Sequence, residues 1–143
     1  MTITLHEIST QDLPSIFPLI TLLNPSMNHE QFSHILAQSI TRGYRCVGAY
    51  EADALVGICG FMVAHRFWCG KHLDLDSFVV HPDHRNKGIG EQIFTWIEAL
   101  ARQENCEKIG FDAYTHNTPS HRLYHRLGYS IEGYHFTKAL YKK

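Results

Sequence analysis

The sequence lacks three features that would define a function class: an excess of charge, a long apolar run and closely spaced cysteines. Its 143 residues include 13 Lys and Arg against 14 Asp and Glu, a formal net charge of −1. Proteins that bind nucleic acid or a membrane surface through charge need clustered basic residues. No apolar run approaches the roughly 20 residues that cross a bilayer. We therefore expect no nucleic-acid partner and no membrane partner, and any anion site must be local.

The four cysteines are scattered through the chain, and no two stand at the spacing of zinc ligands. The N-terminus is typical of a strand rather than of a signal peptide, so we expect a reduced, cytoplasmic protein. There are eleven histidines, but His81 and His84 flank a proline and have no third ligand nearby in the sequence. Metal sites usually take three or four ligands, so the sequence predicts no metal.

The length is that of one ordinary domain, and we predict a single domain over residues 1–143. The apolar pattern changes between a period of two and a helical period, which indicates a mixed α/β protein. We predict an N-terminal strand, two helices before Gly43, three strands between residues 44 and 80, a helix after Gly90, a strand over 108–114, a short helix over 118–127 and two further strands around Gly133.

A basic, glycine-containing loop, Arg85-Asn86-Lys87-Gly88-Ile89-Gly90, opens directly into the helix that follows the third of these central strands. The first N–H groups of a helix lack internal partners and carry partial positive charge, so they favour an anion such as a diphosphate. The alternative is a glycine turn before a surface helix with solvated basic side chains. Neither common phosphate loop fits, because Gly90 is followed by Glu91 rather than Lys-Ser/Thr and Ile93 replaces the third glycine of the dinucleotide fingerprint.

Two motifs together resemble the GNAT superfamily of N-acetyltransferases. The first is Arg85-x-x-Gly88-x-Gly90 after a strand that ends Val79-Val80-x-Pro82. The second is Asn117-x-x-Ser120-x-x-x-Tyr124-x-x-x-Gly128-Tyr129. The element order is also similar over nearly the whole chain. The resemblance implies a central, mostly antiparallel, twisted sheet of six to seven strands, splayed at its middle and flanked by about four helices. It further implies an acyltransferase that uses acetyl-CoA.

The resemblance also implies which residues bind acetyl-CoA. The pantetheine arm would add to the central strand as an extra strand, and the pyrophosphate would rest on the backbone N–H groups of the loop. Asn117 matches a residue that commonly touches the cofactor arm. The cofactor-binding residues implied in this way are Phe78, Val79, Val80, Arg85, Asn86, Lys87, Gly88, Ile89, Gly90, Asn117 and Tyr124.

Two residues are the leading candidates for proton transfer, and Asp112 on the next strand is a weaker candidate for the base. Tyr124 matches the family's frequent general acid, which protonates the departing thiolate; the alternative is a core aromatic packed beside Leu123 and Leu127. A primary amine with a pKa near 10.4 is neutral in only about one molecule in 2,500 at pH 7, so a base is needed. Asp76 aligns with an acidic residue proposed as base in polyamine-acetylating members, which carry Glu-Asp-Phe where this chain has Asp76-Ser77-Phe78. Asp76 is therefore predicted either to accept the proton or to attract a cationic substrate.

The amine acceptor is expected to meet acidic and aromatic side chains. Asp74 and Asp76 alternate on the central strand, so they share a face, and Phe78 is expected on that face too. Aromatic rings near carboxylates suit an amine by charge and by cation–π contact. The predicted substrate-binding residues are Asp74, Asp76, Phe67, Trp68 and Tyr114. Alternatively, Phe67 and Trp68 belong to a dimer contact or to the core.

The leading hypothesis is direct transfer of acetyl from acetyl-CoA to a small-molecule amine, polyamine-like or amino-acid-like, in a ternary complex. None of the four cysteines lies within the two motifs, so a covalent acyl-enzyme has no support in the sequence. The alternatives are a non-catalytic acyl-CoA-binding or sensing module of the same fold and a protein-amine acetyltransferase. Dimers are common for such folds, so a homodimer is a further expectation. The sequence does not choose the acceptor or the length of the acyl group.

Overall fold

The computed structural model describes residues 2–141, which separate into two compact units, residues 2–111 and 112–141. The first unit contains β1 (Ile3–Glu7), a 3-10 segment (Thr10–Ile16), α1 (Phe17–Leu23), α2 (His29–Thr41), β2 (Arg45–Glu51), β3 (Ala54–Arg66), β4 (Gly70–Val80), a 3-10 turn (Pro82–His84), α3 (Ile89–Gln103) and β5 (Lys108–Gly110). The second contains α4 (Thr118–Arg126). No helix in residues 2–141 is both long and apolar enough to cross a membrane.

The strands of the first unit form one sheet in the order β1-β2-β3-β4-β5. The pairings from β1 to β4 are antiparallel, and β5 lies parallel to β4. The parallel ladder joins only His72, Leu73 and Asp74 of β4 to β5, so it ends well before β4 does. A mostly antiparallel sheet with four α-helices confirms the predicted fold class.

The prediction of six to seven strands is wrong in its count, because the described residues contain five strands. The strand predicted over 108–114 ends at Gly110, and the two predicted around Gly133 are not formed. An extended segment is stabilised by ladder partners and by a buried face. The apolar residues of this segment, Ile131, Tyr134, Phe136 and Leu140, are largely exposed.

The ends of the N-terminal helices follow their sequence signals. Pro18 lies in the first turn of α1, where its missing N–H costs nothing, and the preceding residues form a separate 3-10 segment. At the start of α2 the Asn28 side chain accepts a hydrogen bond from the Gln31 N–H, while the Gln31 side chain accepts one from the Asn28 N–H. Gly43 follows α2 with φ +95°. These signals place α1 and α2 before β2, as predicted.

Helices cover both faces of the sheet. On one face a buried cluster joins Leu13, Ile16 and Phe32 of the N-terminal helical region to Cys46, Ile58 and Val79 of the strands. On the other face α3 buries Ile89, Ile93, Phe94, Ile97 and Ala101, which recur at helical spacing. The end of β4 therefore lies between α1 and α2 on one side and α3 on the other.

Candidate functional site

A β-bulge interrupts β4 at Ser77. Gly60 pairs with Asp76 and Ile58 pairs with Val79. Between these two pairs β4 therefore contains one residue more than β3. Ser77 takes up the extra residue with φ +57°, in the left-handed region that non-glycine residues seldom adopt. The bulge is therefore a strained, specific feature next to a predicted site residue.

The bulge changes which side chains share a face. Asp76 and Val79 lie on the face that α1 and α2 cover, since their partners Gly60 and Ile58 are two residues apart on β3. Phe78 points to the other face, where its ring packs edge-on against the ring of Phe94 of α3, with 5.0 Å between the two ring centroids. The prediction that Phe78 shares a face with Asp74 and Asp76 is wrong, because strict alternation ends at the bulge.

The predicted anion-binding loop lies between the 3-10 turn and α3. Gly88 is the N-cap of α3 with φ +76° and supplies no side-chain cap, and Asn86 also has a positive φ of 62°. A Cβ built on Gly88 meets no protein atom within 4 Å. The loop therefore presents a bare backbone and the first N–H groups of a 15-residue helix to open space, an arrangement that fits a pyrophosphate.

Side chains on both sides hold this loop in place. The Nδ1 atom of His84 lies 2.9 Å from Oε2 of Glu51, at the end of β2. The Nε–H of Arg85 donates to the carbonyl of Val80 at 3.1 Å. Ile89 is 1% exposed and belongs to the core, so its side chain anchors the helix, while Gly90 is the second residue of α3.

A pocket of about 110 Å³ opens beside the bulge on the face covered by α1 and α2. Its walls are mainly apolar side chains of those helices, and its polar rim includes a single carboxylate, that of Asp76. Its lining residues are Ile16, Ile20, Asn24, Met27, Phe32, Ile35, Leu36, Ser39, Tyr44, Asp76 and Ser77. The pocket lies wholly within the first unit and suits a small molecule with one cationic end.

The two predicted aspartates have different surroundings. Asp74 is paired on both carboxylate oxygens, with Arg66 Nη2 at 2.8 Å and with His72 Nδ1 at 2.9 Å. Asp76 is exposed and accepts a hydrogen bond from Ser77 Oγ at 3.2 Å, and no cationic side chain among residues 2–141 pairs with it. Because Arg66 already neutralises Asp74, Asp76 is the better placed of the two to meet a cationic amine.

Tyr44 is a pocket residue that the sequence did not single out. It is 9% exposed and belongs to the buried cluster beneath α1 and α2. A Cβ at Gly60 would overlap its hydroxyl. The sequence held one signal of this contact: Gly60 within a strand predicts either a bulge or a close approach of another group, and both occur here.

Phe67 and Trp68 lie at the tip of the β3–β4 hairpin and are largely exposed. The Trp68 ring packs near His72, and the Lys108 ammonium lies 5.5 Å from its centroid. At about 3.3 Å per residue, the tip is some 20 Å along β4 from Asp76. The structure does not bring these aromatics to the pocket, and their role in substrate binding stays a prediction.

The second unit holds the other predicted site residues. Asn117 is the N-cap of α4, and its backbone N–H donates to the carbonyl of Tyr114 at 3.1 Å. Tyr124 is half-buried on α4, a helix without any fully buried residue, and its carbonyl accepts from the Tyr129 N–H. The Tyr114 ring is exposed and stacks on His116. The role of Tyr124, as general acid or as a core aromatic beside Leu123 and Leu127, stays a prediction.

The buried cysteines are poor nucleophiles. Burial raises the pKa of the Cys46 thiol to about 12 and also raises the pKa of Cys59. A thiol is reactive only as its thiolate, so both stay protonated and inert at neutral pH. Within residues 2–141, no three His, Cys, Asp or Glu side chains are grouped as they would be around a metal ion.

Comparison with known proteins identifies relatives over most of the chain. A model of the acetyltransferase (GNAT) family matches residues 5–129. An aminoalkylphosphonate N-acetyltransferase of Salmonella typhimurium is 30% identical, over 95% of this chain and 90% of the relative. A thialysine N-epsilon-acetyltransferase of Bos taurus is 25% identical, over 62% of this chain and 54% of the relative.

Solved structures share the fold. An aminoglycoside N-acetyltransferase in complex with CoA superposes with a TM-score of 0.82 at 17% identity, covering 97% of this chain and 95% of that one. A ribosomal-protein-alanine N-acetyltransferase from Brucella melitensis gives a TM-score of 0.82 at 19% identity, covering 97% of this chain and all of that one. At these identities the likeness speaks for the fold alone.

Proposed function

The chain belongs to the GNAT acetyltransferase family, an acyltransferase family that uses acetyl-CoA, and from this premise we propose that it acetylates the primary amine of a small molecule. The transfer is direct, within a ternary complex of acetyl-CoA, amine and enzyme. The proposal rests mainly on one observation. Near its C-terminal end β4 places the carboxylate of Asp76 at the edge of a pocket, and the chain after β4 forms the glycine loop at Gly88, whose backbone is exposed. The same strand thus serves an amine site and a diphosphate site.

Residues 85–90 hold the pyrophosphate in this proposal. The N–H groups at the start of α3 donate to the phosphate oxygens, and the basic side chains of Arg85 and Lys87 add attraction. The arm of acetyl-CoA runs beside β4 along Phe78, Val79 and Val80, past the point where the ladder with β5 ends. Asn117 contributes from the second motif. Acetyl-CoA itself supplies the activated acetyl group.

Proton transfer is assigned to two side chains. The amine nitrogen forms a bond to the acetyl carbon as the carbon–sulfur bond breaks, so a proton leaves nitrogen and a proton must reach sulfur. We assign the second transfer to the Tyr124 hydroxyl from its place in the second motif. Asp76 receives the ammonium and takes up its proton directly or through water. The inert Cys46 and Cys59 thiols support a route without an acyl-enzyme.

A small-molecule acceptor is favoured over a protein amine. The Salmonella and bovine relatives are named for small amines, an aminoalkylphosphonate and thialysine. The pocket beside Asp76, about 110 Å³, suits a short aliphatic amine. The homodimer, the cytoplasmic location, the single domain over residues 1–143 and the absence of a metal stay predictions.

A screen of amines tests this function. The protein is incubated with acetyl-CoA and, one at a time, with aminoalkylphosphonates, thialysine, polyamines, an aminoglycoside and an amino-terminal alanine peptide, and free CoA thiol is measured. We expect release above the hydrolysis rate with small aliphatic amines. Release only with the peptide would replace the small-molecule acceptor by a protein amine. Tight acetyl-CoA binding without release for any amine would favour the non-catalytic binding module.

The Asp76→Asn variant is expected to lower activity at pH 7 by roughly 10²-fold or more, the typical contribution of a positioned base. If Asp76 accepts the proton, the loss falls in kcat and shrinks at high pH, where the amine deprotonates by itself. If Asp76 only attracts the ammonium, the loss falls in the KM of the amine. Steady-state rates from pH 6 to 10 separate the two roles.

Asp74→Asn is the matched control for this experiment. Arg66 and His72 already pair with Asp74. Removing the charge of Asp74 should therefore change the KM of the amine less than removing the charge of Asp76 does. Equal losses in the two variants would contradict the distinction between the aspartates. Unchanged kinetics in Asp76→Asn would remove Asp76 from both roles.

A further inference from the structure

We propose that Tyr44, lying over the bare backbone of Gly60, sets the depth of the pocket beside Asp76 and restricts the acceptor to a short, unbranched aminoalkyl chain. This inference rests on the proposed function, in which the pocket receives the amine. It makes Tyr44 a specificity-determining residue, with no part in proton transfer.

The strand register brings these residues together. Cys46, Gly60 and Asp76 are directly paired across β2, β3 and β4, so they form one row on the face that α1 and α2 cover. Tyr44 precedes Cys46 by two residues, and its side chain reaches across this row. A Cβ at Gly60 would overlap the Tyr44 hydroxyl and lie 2.6 Å from Cε1 and 2.7 Å from Cζ. The ring therefore occupies the place of a side chain at position 60, next to Asp76.

The Tyr44 side chain forms a buried wall of the pocket, and its hydroxyl stays uncharged. Burial is the main cause that raises its pKa, and the neighbouring Cys46 and Asp76 add to the effect. Its hydroxyl lies within hydrogen-bonding reach of the Cys46 thiol, which is itself buried. The phenol therefore stays protonated at any pH at which the enzyme would work, and the pocket keeps Asp76 as its single charged lining residue.

Volume and charge together define the acceptor. The pocket measures about 110 Å³, well below the roughly 300–1,000 Å³ of clefts that take drug-sized ligands, so its size suits a short chain. The walls from α1 and α2 are mainly apolar, which suits methylene groups, and the ammonium meets Asp76. An acidic group on the same molecule would have to lie outside, since no cationic side chain lines the pocket.

Pocket variants and a series of amines test this inference. Ethylamine, propylamine, butylamine, hexylamine and isobutylamine are compared as acceptors by kcat/KM. Tyr44→Leu removes the ring and should raise the ratio of hexylamine or isobutylamine to propylamine at least about tenfold, since one methylene in a pocket is worth 10- to 200-fold. Gly60→Ala displaces the ring into the pocket and should shift preference toward the shortest amines. The affinity for acetyl-CoA should stay within about twofold in both.

The double variant tests the contact between the two residues directly. Tyr44→Leu removes the atoms that a Cβ at Gly60 would meet, so Gly60→Ala should lower the Tm less in that background than in the wild type. Should Tyr44→Leu not fold, Gly60→Ala still decides the question through its acceptor ratio. Folded variants that bind acetyl-CoA and keep the wild-type ratio overturn the inference alone. A wild-type protein that acetylates no amine in the wider screen overturns the proposed function, and this inference with it.

Discussion

Replacing Gly88 by valine is expected to abolish acetyl-CoA binding in a protein that still folds. Gly88 has φ +76°, and the space beyond its missing Cβ holds no protein atom within 4 Å. In the proposed site that space belongs to the pyrophosphate. The valine side chain would enter this space. It would also disfavour the left-handed backbone conformation of residue 88, which orients the neighbouring N–H groups. Losing two hydrogen bonds to a charged group, at about 1.5–3 kcal/mol each, weakens binding more than roughly 100-fold.

Gly43→Val is the matched control for this prediction. Gly43 has φ +95° and likewise has nothing within 4 Å of a built Cβ, but it lies at the end of α2, apart from the loop. Both variants should lose stability by a similar amount, about 1–2 kcal/mol for a side chain in the left-handed region. Only Gly88→Val should lose acetyl-CoA in calorimetric titration. Equal affinities in the two variants would refute the pyrophosphate assignment.

Replacing Tyr124 by phenylalanine is expected to lower kcat by about 10²-fold or more while acetyl-CoA binds as before. The substitution removes only the hydroxyl, and a positioned general acid contributes roughly 10²–10⁴-fold. Since α4 contains no fully buried residue, loss of one hydroxyl should leave the fold intact. Without the proton donor the thiolate leaves unprotonated, and the loss should lessen for a thioester with a more acidic thiol. Stopped-assay turnover and acetyl-CoA titration measure the two effects.

Tyr141→Phe controls for the loss of a hydroxyl in the same unit, because Tyr141 is exposed. It should keep kcat within about threefold. A kcat for Tyr124→Phe equal to that of the wild type would remove Tyr124 as the acid. A loss confined to the KM of acetyl-CoA would make it a cofactor-binding residue instead.

The loop could be predicted because its chemistry is local. A glycine at a helix N-terminus, followed by a regular apolar stripe, specifies a bare backbone before α3 whatever the rest of the chain does. Gly88 is the N-cap with positive φ, and α3 starts at Ile89, two residues before the predicted start after Gly90. The burial of Ile89 follows from the same stripe. Only the anchors of the loop, such as the pairing of His84 with Glu51, needed the fold.

The faces of β4 could not be predicted beyond Asp76. Alternation of side chains along a strand assumes a regular ladder. The residues Asp76-Ser77-Phe78 give no sequence signal for a bulge in which Ser77 has φ +57°. The bulge turned Phe78 toward α3 and left Asp76 facing α1 and α2. Likewise the pairing of Asp74 with Arg66 depends on the β3–β4 register, which joins residues eight apart in the chain.

The sequence by itself determined the family, the ends of α2 and the bare glycine loop before α3, because each depends on residues close together in the chain. The tertiary structure alone decided what lies around Asp76. Pairing across β2, β3 and β4 brought Cys46, Gly60 and Asp76 into one row and laid Tyr44 over it, and packing of α1 and α2 formed the walls of the pocket. The proposed acceptor site is built from segments distant in sequence, and its shape follows from register and packing.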